Sequence, residues 1–244
     1  MSIYMWRDVT PAWIYHNSTL WLITIADGSW NDITIADKNL WATQVYNDGD
    51  ALSEANCGKY FQWWNNYWFP FTWPVTTSST QVNANTYWPW NYYSSSTFIM
   101  ASPRDNSNNA NLRWWTTWTV EAMQWPCASG FHIPTDIEWK WLIDMWVSIS
   151  AWTSTWWDSV RILLKMPFAW WILYNNATIS WQWTQWQYWA STQYSSTNAY
   201  RLFMSWTNMV SQANYYKSTW YSIRPFKNTT VQPDESWTVL YQPS

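Results

Sequence analysis

Cys127-Ala128-Ser129-Gly130-Phe131-His132-Ile133-Pro134-Thr135-Asp136-Ile137-Glu138-Trp139 reads as a tight turn, a short strand and the start of a capped helix. Thr135-x-x-Glu138 is a capping box. The threonine oxygen accepts from the backbone N–H at the glutamate, and the carboxylate reaches back to the N–H at the threonine. Pro134 fixes the angle at which the chain enters. Ile137, Trp141, Leu142 and Met145 recur at helical spacing, which predicts an apolar face and a helix ending near Met145. Glu138 is therefore read as a cap rather than a catalytic carboxylate. His132, on the strand before it, is read as a packed, hydrogen-bonded structural histidine.

Upstream, Leu22-Ile23-Thr24-Ile25 and Ile33-Thr34-Ile35-Ala36 alternate as strands do, separated by a turn at Ala26-Asp27-Gly28-Ser29. Asn39-Leu40-Trp41-Ala42-Thr43 continues the pattern. Asp48-Gly49-Asp50 lacks the further acidic ligands of a calcium loop and is read as a turn. Tyr60 to Trp63 predicts a strand entering the core. Residues 64–116 are rich in Asn, Ser, Thr, Tyr and Pro without a sustained period and are read as an insertion. Val120-Glu121-Ala122-Met123 is a short helix candidate. Later strands are predicted at Ile162–Leu164, Met166–Ala169, Gln187–Thr192, Ala199–Met204 and Tyr221–Phe226, with Asn, Gln, Tyr, Ser and Thr crowding the loops between them. The chain divides into an N-terminal strand or extension (1–19), one domain (20–227) and a linker toward a further module (228–244). Its class is α+β, with antiparallel strands, one or two short helices and long loops.

Twelve Lys+Arg against fifteen Asp+Glu give a net charge of −3 over 244 residues, with no basic run to follow a phosphate backbone, so nucleic acid is not an expected partner. No apolar run approaches the roughly 18 residues of a membrane span, and Met1 to Met5 lacks the basic-then-apolar pattern of a secretory signal. Export is then signalled otherwise or from residues preceding Met1.

The composition is abnormal in one respect: 30 Trp stand against 4 Gly. Average usage would give about 17 glycines in a chain of this length. Asn66-Tyr67-Trp68-Phe69-Pro70, Ser218-Thr219-Trp220-Tyr221 and Trp181-Gln182-Trp183-Thr184-Gln185-Trp186 put tryptophan in polar, turn-like contexts that ask for the positive φ glycine adopts freely. Each indole also wants roughly 150–250 Å² of burial, more than a domain of this size can supply thirty times. Most of these positions, Trp41 among them, are therefore expected to be UGA codons that the source organism decodes as glycine. Trp63, Trp139 and Trp189 are expected to be real. The literal alternative is a tryptophan-rich, sugar-stacking protein.

Cys127 to Trp139, together with Gln187-Tyr188-Trp189-Ala190-Ser191-Thr192 and Tyr221-Ser222-Ile223-Arg224, resembles the Fibrobacter succinogenes major paralogous domain family of bacterial proteins. That family shows Cys-Pro-x-Gly-Trp-His-Leu-Pro-Thr-x-x-Glu-Trp, Tyr-Trp-Ser-Ser-Thr and Gly-Tyr-Ser-Val-Arg-Cys in the same order. Asn39-Leu40 and the Cys57 to Trp63 segment are similar to its earlier elements, so the resemblance spans roughly residues 20–227. The family's glycine before Tyr-Ser-Val-Arg falls on Trp220, and its later cysteine falls on Pro225. The resemblance implies a C-type lectin-like fold, of the group that includes formylglycine-generating enzymes, with terminal strands meeting and a ligand-facing loop region. This is fold analogy and fixes no function.

In that frame the two cysteines, Cys57 and Cys127, are expected to form one disulfide in an oxidising compartment; as a metal site they are short of ligands. No cysteine follows Cys127, so the paired cysteines of the oxidising relatives are lacking and no enzyme activity, cofactor or metal is expected. His16 has no acidic or cysteine neighbours in sequence. Trp30-Asn31-Asp32 and Gln232-Pro233-Asp234 match lectin calcium tripeptides in reversed order and are rejected as a site. The sequons at Asn17, Asn176 and Asn228 need no modification to explain them. The expected function is an extracellular or cell-surface adhesion or binding module. Its C-terminal loops, from Tyr174 to Tyr216, would present Tyr194, Asn198, Asn208, Asn214, Tyr215 and Tyr216 to a protein or glycan. The alternatives are a structural surface-array module without a ligand, and a hypervariable display protein diversified by a retroelement.

Overall fold

The computed structural model describes residues 13–26, 32–63, 76–78, 97–99, 127–149, 161–168, 171–172, 179–180, 185–195, 198–205, 208–217, 219–228, 236 and 238–241. Fifteen strands and two helices are defined among them. They are β1 Trp13–Asn17, β2 Leu22–Ala26, β3 Ile33–Ala36, α1 Glu54–Cys57, β4 Phe61–Gln62, β5 Thr76–Ser78, β6 Thr97–Ile99, β7 Phe131–His132 and α2 Asp136–Ile149. The C-terminal part adds β8 Trp171–Ile172, β9 Ile179–Ser180, β10 Gln185–Gln193, β11 Asn198–Ser205, β12 Asn208–Tyr216, β13 Trp220–Tyr221, β14 Phe226–Lys227 and β15 Thr238–Tyr241. The molecule is strand-rich α+β, and apart from the parallel pair β5–β6 its strand pairs are antiparallel.

The largest sheet runs β15-β1-β2-β3-β14-β7. The predicted β2–β3 hairpin forms its centre, with Ile23 opposite Ile35, Thr24 opposite Thr34 and Ile25 opposite Ile33. Both faces of β2 are buried, so the polar member of each strand must find a partner within the sheet. Thr24 and Thr34 do so with each other, Oγ1 to Oγ1, at 2.8 Å. Residues 228–244, read from sequence as a linker, instead supply β15, which pairs with β1 so that the terminal strands meet. Asn17 Nδ2 reinforces this contact by donating to Ser236 Oγ at 3.0 Å. The segment 1–19 likewise contributes an integral strand, β1.

The capping box forms as the sequence dictates: Glu138 N–H donates to Thr135 Oγ1 at 3.1 Å and Thr135 N–H to Glu138 Oε2 at 2.7 Å. The helix runs one turn past the expected end, to Ile149. Of its expected apolar face Leu142 is buried, Ile137 and Trp141 are not, and the Met145 side chain lies outside the described residues. Trp139 and Ile143 face the core beside Leu142. The carboxylate of Glu138 must point back at the cap, and this rotates Trp139 inward.

Other expectations need correction. Asn39 to Thr43 is a turn, not a strand; Ile162 and Leu163 lie in a helical turn; and Met166 to Phe168 has no strand pairing. The stretch Asn208–Tyr216, expected among the loops, is a nine-residue strand. Asp48-Gly49-Asp50 is a turn, closed by Asp50 N–H to Asn47 O at 3.0 Å, with Asp48 paired to Arg161. The insertion 64–116 lies outside the described residues except for β5 and β6, the helix expected at Val120 to Met123 lies outside them entirely, and so does the turn expected at Ala26 to Ser29 beyond Ala26. Among the described residues no helix is long and apolar enough to cross a membrane.

The core has two clusters. The larger gathers Ile14, Ile23, Ile25, Ile35, Trp139, Leu142, Tyr188, Met204 and Phe226, among others; the smaller gathers Phe61, Trp63, Cys127, Ile133, Trp189, Tyr221 and Ile223. Cys57 belongs to the first and Cys127 to the second, and both are free thiols, which corrects the expected disulfide. Burial pushes the Cys57 thiol up to about 12, partly offset by a hydrogen bond from the Ser53 backbone, and burial pushes Cys127 up as well. In denaturant without reductant, titration with a chromogenic disulfide should find two thiols per chain, and almost none in the native protein. A denatured chain with no reactive thiol would mean that the bond forms.

Candidate ligand-binding face

β11 and β12 pair with Asn198 opposite Tyr216, Ala199 opposite Tyr215, Tyr200 opposite Asn214 and Arg201 opposite Ala213. Because side chains alternate along a strand, Asn198, Tyr200, Asn214 and Tyr216 share one face, and Ala199, Arg201 and Tyr215 share the other. The second face is turned to the smaller core cluster, where Ala199 is fully buried and Tyr215 packs; on the first, outer face Tyr200 is partly buried against the larger cluster. Arg201 holds this inner face in place. Its Nη1 donates to Tyr221 Oη at 2.6 Å, and its guanidinium lies 4.6 Å from the Tyr215 ring centroid. Burial pushes the Tyr221 hydroxyl pKa up, opposed by the Arg201 charge, so Tyr221 stays a neutral acceptor.

On the outer face, Asn198 Nδ2 donates to Asn214 Oδ1 at 3.0 Å. The β10–β11 turn is tied by Tyr194 N–H and Ser195 N–H, which both donate to Asn198 O, and by Asn198 N–H to Ser195 Oγ. This sets the Tyr194 ring edge-on to Tyr200 at 5.3 Å. Tyr194 is 55 % exposed, so the pair presents an open aromatic edge. The start of α2 closes one side. Asp136 N–H donates to Thr192 Oγ1 at 3.2 Å, and Asp136 Oδ2 accepts from Gln212 Nε2 at 2.7 Å. Partial burial, then the charges of Asp136 and Tyr194, push the Tyr200 hydroxyl pKa up, which keeps it a protonated donor.

Four of the six residues picked from sequence, Tyr194, Asn198, Asn214 and Tyr216, thus belong to this face or its bordering turn. Tyr215 points inward and packs, while Asn208 begins β12 opposite Ser205 and its side chain lies outside the described residues. Sequence reading missed Asp136, Tyr200 and Gln212. Tyr200 was recoverable, being two residues from Asn198 on a recognised strand. The Asp136–Gln212 contact spans 76 residues and had no local signal.

The groups that could suggest catalysis are committed to structural partners. His132 Nδ1 is 3.0 Å from Asn228 Oδ1 and its Nε2 is 2.8 Å from Glu138 Oε1. Burial raises the Glu138 pKa, but the His132 hydrogen bond and charge, with the Thr135 N–H and O–H, outweigh it and the net shift is downward. The carboxylate is therefore an acceptor and His132 donates to it. His16, which has no acidic neighbour in sequence, is in fact bonded to the buried Asp37 at 2.9 Å, because β1 and the end of β3 converge. No group of three or more His, Cys, Asp or Glu that could hold a metal occurs among the described residues. Comparison of the chain with protein-family models, curated proteins and solved structures finds no match.

A depressed folded-state pKa means that Glu138 stabilises the protein fully above the unfolded carboxyl value, and that this contribution is lost as pH falls through the lower folded value. Glu138→Gln should therefore be less stable than wild type at neutral pH, with the gap narrowing from about pH 5 to about pH 3 as the wild-type carboxylate protonates. Urea unfolding at a series of pH values measures it; a gap independent of pH would contradict the assignment.

Proposed function

We propose that this chain is a non-catalytic, lectin-like binding module acting outside the cell or on its surface, and that its ligand seats on the outer face of β11 and β12 beside the start of α2. The observation that carries this reading is the convergence of Tyr194, Asn198, Tyr200, Gln212, Asn214 and Asp136 on one side of a rigid sheet. Aromatic edges give contact area at low entropic cost, and fixed amides with one carboxylate give both donors and acceptors, a combination suited to a hydroxyl- or amide-bearing partner. The internal hydrogen bonds hold these groups in place before a ligand arrives, which limits the ordering cost of binding. Support for a non-catalytic role comes from His132, Glu138, His16 and Asp37, all engaged in structural contacts, and from two thiols that burial keeps protonated. The paired terminal strands and the capping box are in keeping with the family resemblance and its C-type lectin-like fold.

Glycan and protein arrays probed with the purified chain test the proposal. Wild type should retain a ligand that Tyr194→Ala and Asn214→Ala each weaken about tenfold or more, with little change in thermal midpoint. A ligand indifferent to both substitutions would move the site off this face. A folded chain that captures nothing would favour a surface-array module.

A further inference from the structure

The tryptophans of this chain fall into two populations. Of the eight whose side chains are described, Trp63, Trp139, Trp186, Trp189 and Trp220 are at most 1 % exposed, whereas Trp21, Trp41 and Trp141 are 47, 58 and 42 % exposed. Three of the buried indoles also have their N–H donating to a backbone carbonyl: Trp63 to Ala190 O at 2.9 Å, Trp139 to Trp189 O at 3.2 Å and Trp189 to Phe61 O at 2.8 Å. No smaller residue would fill those positions and make those bonds.

Two of the exposed three, Trp21 and Trp41, carry the opposite mark; Trp141, inside α2, does not. Six described residues have φ in the left-handed region: Gly49, Gly58 and Gly130, and besides them Trp21 at 60°, Trp41 at 64° and Lys165. A bulky residue there is a backbone outlier, because its Cβ crowds the neighbouring carbonyl. Trp41 occupies the third position of a β-turn in which Ala42 N–H donates to Asn39 O at 3.0 Å. Leu40 ahead of it has no positive φ, so the turn is of type II, which calls for glycine at that third place. Trp21 closes the four-residue loop between Asn17 and Leu22, which are paired across the β1–β2 hairpin. Its carbonyl is needed there, accepting from Asp37 N–H at 2.9 Å. At both positions the backbone is specified by hydrogen bonds, while the indole lies half in water. A sugar-stacking ring would also be exposed, but stacking gives no reason for a left-handed backbone.

We propose that Trp21 and Trp41 are glycines in the protein as its native host makes it, through a genetic code in which UGA is read as glycine, and that Trp63, Trp139 and Trp189 are true tryptophans. Trp186 and Trp220, buried in extended strands, lie outside the proposal. The proposal is independent of the binding face, whose aromatic residues are tyrosines.

Tandem mass spectrometry of the protein isolated from its native host decides it. The tryptic peptides Asp8–Lys38 and Asn39–Lys59 should carry glycine at positions 21 and 41, and peptides covering 63, 139 and 189 should carry tryptophan. Tryptophan at 21 or 41 overturns the proposal. Glycine at any of the other three overturns the structural sorting on which it rests.

Discussion

Three indole N–H groups, two directed at one stretch of β10 and the third from β10 at β4, hold this fold together. Trp63, just past β4, and Trp139, in α2, donate to the adjacent carbonyls of Ala190 and Trp189 in β10, and Trp189 donates back to Phe61 in β4. All three rings are essentially fully buried. A ring of this size removes about 150–250 Å² from water, roughly 4–6 kcal/mol of gross transfer free energy at about 25 cal/mol per Å². A buried N–H without an acceptor would forfeit part of that gain. The bonds also cross between clusters: Trp139 belongs to the larger one and donates to the backbone of Trp189 in the smaller. The helix, the short β4–β13 pairing and the β10–β12 sheet are thus fixed to one another through β10.

The candidate binding face inherits its rigidity from this knot. Tyr221 packs edge-on against Trp189 at 4.5 Å and receives the Arg201 hydrogen bond, so the inner face of β11 is tied to the core one residue away from Tyr200. On the other side, α2 is held by Trp139 and begins at Asp136, which grips Gln212 and Thr192. Glu138 joins the same helix start to His132 and, through it, to Asn228 after β14. The Cys127 to Trp139 stretch therefore positions the face without belonging to it, except at Asp136.

The readable parts of the sequence were those whose physical signal is local. The capping box needs only Thr135 and Glu138 three residues apart, and the β2–β3 hairpin announces itself by period-two alternation. The inner side of α2 was misread because the periodic pattern was drawn through Ile137 and Trp141 and left out Trp139, which the cap geometry turns inward. β12 escaped notice because Asn208-Met209-Val210-Ser211-Gln212-Ala213-Asn214-Tyr215-Tyr216 is polar, and its strand form depends on pairing with β11. β15 depends on β1, more than 200 residues away, and no local signal could reveal it. Half of the candidate face was legible for the same reason: Tyr and Asn marked it by composition, but facing was set by a register that only the fold supplies.

Native-state hydrogen exchange at three amides tests the central role of the indole knot most directly. Trp63 N–H donates to Lys217 O, Trp189 N–H to Ser222 O and Ser191 N–H to Pro134 O, all beside the indole bonds. If the knot holds the fold together, these amides exchange only through global unfolding, with the same free energy and denaturant dependence as the amides of β2 and β3. Exchange through a smaller opening, while β2 and β3 remain protected, would show that the large sheet stands without the knot and would contradict this account.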